Sequence, residues 1–148
     1  MSVTTVTHLN FTGQARAALE FYAGVVGGEA VVRTYADFGM PAGLPDADKV
    51  VWGQVVAGSG FTVMAYDIPG ASPAAGTPEV RRENGLTVTD QPFFISLQGA
   101  SLQELTAIWE GLAEGATVVE PLAASDFSAG FGMLTDRFGV TWAVSVFG

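Results

Sequence analysis

The chain is predicted to fold as an α+β domain in which a curved mixed sheet surrounds a central cavity. Two observations carry that expectation. An alternating strand, a short amphipathic helix and several further strands follow one another from about Val3 to Asp67, and the same order returns from about Phe93 to Phe147. The 148 residues are 49% apolar, which is enough for one compact core and too little for two independent domains of usual size. Two such halves can close one sheet over one cavity.

In the first half, Val6, His8 and Asn10 alternate with Thr7, Leu9 and Phe11, the period of two expected of a strand with two different faces. Ala15, Ala18, Leu19 and Tyr22 then recur at helical spacing, while Gln14, Arg16 and Glu20 face water. Gly24, Gly27 and Gly28 supply the stop. Strands follow at Val50–Val56 and in FTVMAYD, residues 61–67. In the second half, Phe94 to Leu97 form a strand, and Ser101 with Glu104 makes a capping box for a helix. Its buried stripe is Leu102, Leu105, Ile108 or Trp109, and Leu112. Gly115 ends the helix, Thr117 to Val119 restart a strand, and Met133–Thr135 with Val140–Phe147 read as a closing hairpin through Asp136, Arg137, Phe138 and Gly139.

The expected organisation is one domain: an N-terminal module over about 1–68, a crossover over about 69–91 and a C-terminal module over about 92–148. Pro69, Gly70, Pro73, Gly76 and Pro78 punctuate the crossover before Arg81 and Arg82. Its length suggests either a mobile connection or a cover over the cavity mouth. The loop from Asp37 to Lys49 could border the same opening.

Composition excludes whole classes of chemistry. Cysteine is absent, which removes disulfides, thiolate nucleophiles, cysteine-ligated zinc and iron–sulfur clusters. Fifteen acidic against six basic side chains give a formal charge of −9, which repels nucleic acid and anionic membranes. No run reaches the apolar length of a membrane span and the N-terminus lacks the pattern of a signal peptide, so a cytoplasmic location is the default expectation. Gly130-Phe131-Gly132 lacks the spacing of a phosphate loop. No glycine-rich nucleotide fingerprint follows a strand.

The segment NFTGQARAALEFYAGVVGG resembles the first helix region of the vicinal oxygen chelate superfamily, the glyoxalase and bleomycin-resistance fold. The ending LTDRFGVTWAVSV, with FTVMAYD, is similar to its PhnB-like subgroup, whose members are often labelled 3-demethylubiquinone-9 3-methyltransferase or glyoxalase-like. The loop Ser125–Gly132 also looks like that subgroup, although Phe127 stands where a tryptophan is frequent. The resemblance spans nearly the whole chain. It implies a pair of βαβββ modules, a cavity inside each curved sheet and a homodimer.

Catalytic members of the superfamily hold a divalent ion with His, Gln or Glu side chains on inward strand faces. The corresponding positions here fall near Val6 or His8, at Met64, around Pro92 or Phe94, and at Ala143. Only His8, the single histidine, remains as a strong nitrogen donor, so neither a metal nor another cofactor is expected. The candidate ligand-binding residues are His8, Asn10, Trp52, Gln54, Met64, Tyr66, Asp67, Phe94, Ser96 and Thr141. His8, Asn10, Gln54, Met64, Tyr66, Phe94, Ser96 and Thr141 share strand parity toward the concave side, with Trp52 or Asp67 near its rim, whereas Trp142 has the opposite parity and packs beneath the second helix. Their aromatic and sulfur-rich character suits a small ligand, and the acidic balance favours an aromatic or cationic one.

Three functions stay open on the sequence. The first is metal-independent binding of such a molecule. The second is an isomerase, lyase or dioxygenase-like activity using His8 with Asn10, Gln54 or Asp67; no set of oxyanion-stabilising groups is evident for it. The third is a structural or protein-interaction role with a vestigial cavity.

Overall fold

A computed structural model describes residues 2–73, 78–126 and 128–147. Gly76 of the crossover and Phe127 of the subgroup-like loop lie outside the described residues. The chain divides into two compact units, residues 1–75 and 76–148.

The first unit contains β1 (Thr7–Phe11), α1 (Ala15–Val26), β2 (Glu29–Thr34), β3 (Val50–Val56) and β4 (Thr62–Asp67). Its sheet has the order β1-β4-β3-β2, with β1 parallel to β4 and the other neighbours antiparallel. The strand periodicity settles the faces. Leu9, Val55, Val63 and Ala65 are buried to 3% exposure or less, on the side where α1 lies against β2, β3 and β4. The stripe Ala15, Ala18, Leu19 and Tyr22 is fully buried there. At Gly53 a Cβ would stand 2.3 Å from Leu19 Cδ1 and 3.1 Å from the Ala65 carbonyl, so a bare backbone lets the helix settle onto the strands. The helix runs through Gly24 and stops at Gly27, which takes a left-handed φ of 70°.

The second unit opens with a hairpin that was not expected in the crossover: β5 (Val80–Glu83) and β6 (Leu86–Thr89), antiparallel. Asn84 and Gly85 form its turn with φ of 52° and 77°, the pair of positive values that a two-residue hairpin turn requires. There follow β7 (Ile95–Gly99), α2 (Leu102–Ala113), β8 (Thr117–Ser125), β9 (Ser128–Thr135) and β10 (Thr141–Val146). The sheet order β7-β10-β9-β8 repeats the arrangement of the first unit, a parallel pair at one side and antiparallel neighbours elsewhere.

Ser101 caps α2, its hydroxyl accepting from the Glu104 N–H at 3.2 Å. Leu105 and Leu112 are buried. The closing hairpin turns where expected, because Asp136 Oδ1 accepts from the Phe138 and Val140 N–H groups at 2.8 and 3.1 Å. Its Oδ2 accepts from Trp142 Nε1 at 2.9 Å, which satisfies the indole as the ring is buried.

Candidate functional site

The helix-free face of the first sheet carries the residues of alternate parity. His8 stands opposite Met64, Met64 opposite Gln54, and Gln54 opposite Val31. One step along, Asn10 stands opposite Tyr66, and Trp52 opposite Arg33. Six of the expected ligand-binding residues, His8, Asn10, Trp52, Gln54, Met64 and Tyr66, therefore share this face. They remain partly or largely exposed, because no helix of their own unit covers them.

Two regions of this face differ in chemistry. Toward β1, His8 Nδ1 lies 3.1 Å from Asn10 Oδ1, and the imidazole meets the Tyr66 ring edge-on at 5.4 Å between centroids. In the tautomer that carries its proton on Nδ1, the asparagine oxygen accepts and Nε2 presents its lone pair. Toward β2 and β3, a depression of about 460 Å³ is lined by Val31, Trp52, Gln54, Val56 and Ala57, with Glu29 and the turn glycines at its end. It offers a flat aromatic ring, an amide and an exposed carboxylate. Glu29 and Val31 were not among the expected lining residues. Their signal is the alternation of Glu29, Val31 and Arg33 with Ala30 and Val32 after a glycine turn.

Asp67 is a correction. It ends β4 with the parity opposite to Tyr66 and is buried to 1% exposure. Its Oδ1 accepts from the Gly13 and Ala15 N–H groups at 2.9 and 3.0 Å, and its Oδ2 from the Val50 N–H at 3.0 Å. Gln14, which precedes α1, makes no side-chain cap. The carboxylate of Asp67 supplies that function from across the sheet, satisfying N–H groups that a helix start leaves open. It is a folding residue on the helix side and cannot meet a ligand on the other face.

The loop after β2 is more ordered than an open rim. Tyr35 donates its hydroxyl to the Asp67 carbonyl at 2.7 Å, and its pKa is raised by burial first and then by Tyr66, Asp46 and Asp67, with Lys49 opposing. Asp46 pairs with Lys49 Nζ at 2.9 Å and accepts from the Gly70 N–H at 2.8 Å. These two bonds hold its carboxyl below the usual range, so the loop from 35 to 49 is tied to the end of β4.

The remaining candidates belong to the second unit. Ser96 is exposed on β7 opposite Ala143, and Phe94 is half-buried just before that strand. Thr141 is buried, with its hydroxyl 2.8 Å from Thr135 Oγ1, so it is engaged within the sheet rather than exposed to a ligand.

Among the described residues no three His, Cys, Asp or Glu side chains gather as a metal ion would require. His8 has Met64 as its strand neighbour, Ala143 lies between Ser96 and Met133, and the carboxylate of Asp67 is consumed by backbone donors. The donor set does not fit the metal of catalytic superfamily members. Among the described residues no helix is long and apolar enough to cross a membrane.

Residues 5–144 match the family described as the Glyoxalase/Bleomycin resistance protein/Dioxygenase superfamily. The chain is 34% identical to protein PA1353 from Pseudomonas aeruginosa, with 98% of each chain covered and a TM-score of 0.76. It is 20% identical to a PhnB protein from Bacillus cereus, over 98% of this chain and 100% of that one at a TM-score of 0.71. A glyoxylase/bleomycin resistance protein/dioxygenase domain from Frankia sp. EAN1pec shares the fold at 14% identity and a TM-score of 0.63, over 99% and 92% of the two chains. No curated protein matches the chain.

Proposed function

Because this chain belongs to the glyoxalase/bleomycin resistance protein/dioxygenase superfamily, we propose that it uses the superfamily scaffold for metal-independent binding of a small aromatic or cationic molecule. The observation that carries this reading is the depression beside β2 and β3, where the Trp52 ring, the Gln54 amide and the Glu29 carboxylate line one concavity with Val31 and Val56. An aromatic face attracts a cation through its quadrupole, and a nearby carboxylate adds charge complementarity. The apolar valines favour a flat body. The homodimer implied by the sequence resemblance is part of the same proposal.

The test is a titration with benzyltrimethylammonium followed by tryptophan fluorescence, beside its neutral carbon isostere. Saturable binding of the cation is expected, weakened about tenfold in Trp52→Ala through lost cation–π and area terms. Equal response of the wild type and Trp52→Ala would remove this site.

The His8–Asn10 contact supports a second reading, an isomerase or lyase that takes a proton onto Nε2. Deuterium exchange into a panel of enolisable carbonyl compounds, abolished in His8→Asn, would favour it. No exchange above buffer leaves binding alone. A chain that answers neither assay is best described by the structural reading.

A further inference from the structure

The second unit carries a site of opposite polarity. The β5–β6 hairpin lies against its sheet through Thr87, whose hydroxyl is 3.5 Å from Met133 Sδ and accepts from Arg82 Nη1 at 2.8 Å. The Arg82 guanidinium is stacked 4.9 Å above the Phe131 ring centroid. Its Nε is buried and has no hydrogen-bond partner; Glu120 Oε1 stands at 3.6 Å, an ion-pair distance but too long for a hydrogen bond. Arg82 is 20% exposed, whereas Glu120 is 42% exposed. Both line a depression of about 640 Å³ with Phe131, Pro121, Ala123 and Ser128.

From this arrangement we propose that the depression binds a planar anionic amphiphile, an aromatic carboxylate in the simplest case, whose oxyanion pairs with Arg82 and whose ring lies along Phe131, Pro121 and Ala123. The physical reason is that a desolvated guanidinium N–H without an acceptor is costly, and a planar oxyanion matches the guanidinium fork. Glu120 makes only a loose contact with this cation and is free enough to turn into solvent. It acts as a built-in competitor for the same cation, so the two charges must have opposite effects on binding. This site involves neither Trp52 nor Glu29, and its success or failure is independent of the cation reading of the first unit.

The experiment is calorimetric titration of the full chain with 2-naphthoate and with the uncharged 2-naphthamide. Naphthoate is expected to bind at least about tenfold more tightly than naphthamide, a preference lost in Arg82→Gln. Glu120→Gln is expected to tighten naphthoate by a few-fold, the range of a partly exposed charge pair, and to leave naphthamide unchanged. Circular dichroism establishes that each variant is folded, and Glu120→Gln keeps the test open if Arg82→Gln is not. Equal binding of the two probes, or weaker naphthoate binding in Glu120→Gln, overturns the proposal.

Discussion

Asp67 shows how one carboxylate can serve three chain segments at once. It accepts from Gly13, Ala15 and Val50, joining the turn before α1, the first helical residue and the start of β3 in a buried position. Removing a buried acceptor leaves each donor with its desolvation cost, about 1–3 kcal/mol per group. Asp67→Ala is therefore expected to destabilise the protein by roughly 3 kcal/mol or more, and Asp67→Asn by less, since one amide oxygen still accepts. Urea denaturation of the two variants checks the order. Equal stability of wild type and Asp67→Ala would contradict the capping role. Asp136 repeats the device in the second unit with one bond to an indole and two to backbone.

At the scale of elements, packing of α1 on its sheet depends on Gly53. A methyl there meets Leu19 and the Ala65 carbonyl; the leucine end can yield, but the carbonyl belongs to β4 and yields less. Gly53→Ala is expected to cost about 1–3 kcal/mol by overpacking, read as a lowered Tm, while Leu19→Ala in the same background recovers part of the strain. The loop from 35 to 49 has a different weakness. Asp46 is held below the usual carboxylate range by Lys49 and then by the Gly70 N–H. A depressed folded pKa means that its contribution is complete above the unfolded value and is lost as pH falls through the folded one. Below about pH 4 the tie should loosen. Corrected amide exchange at Gly70 is expected to rise there in the wild type and to show no such step in Asp46→Asn.

For the whole molecule, the proposed assembly is a homodimer. Sedimentation velocity across a dilution series is expected to show a species near twice the 15.3 kDa chain mass, dissociating on dilution if the contact is modest. A persistent monomer at micromolar concentration would count against it. The formal charge of −9 adds repulsion between like copies, so added salt should favour association.

The amino-acid sequence by itself determined both helices, the strands at β1, β3, β4, β7 and β10 and their two-faced character, but neither β2 nor the β5–β6 hairpin. Leu9 and Phe11 are buried while His8 and Asn10 are exposed, and Trp142 is buried beside its indole partner Asp136, because alternation and helical periodicity depend only on near neighbours in the chain. The asparagine–glycine turn at 84–85 is an equally local signal, but the Pro- and Gly-rich run before it reads as a connection, and the β5–β6 hairpin came only with the structure. Tertiary structure decided the rest. Asp67 reads as a strand-end carboxylate until the fold brings it to Gly13, 54 positions away. Likewise Arg82 reads as a surface cation until Thr87, Phe131 and Glu120 surround it. Strand order places Glu29 beside Val56 and Met64 between His8 and Gln54. Such meetings depend on which strands pair, and pairing is set by the burial of a common core rather than by any local run of residues.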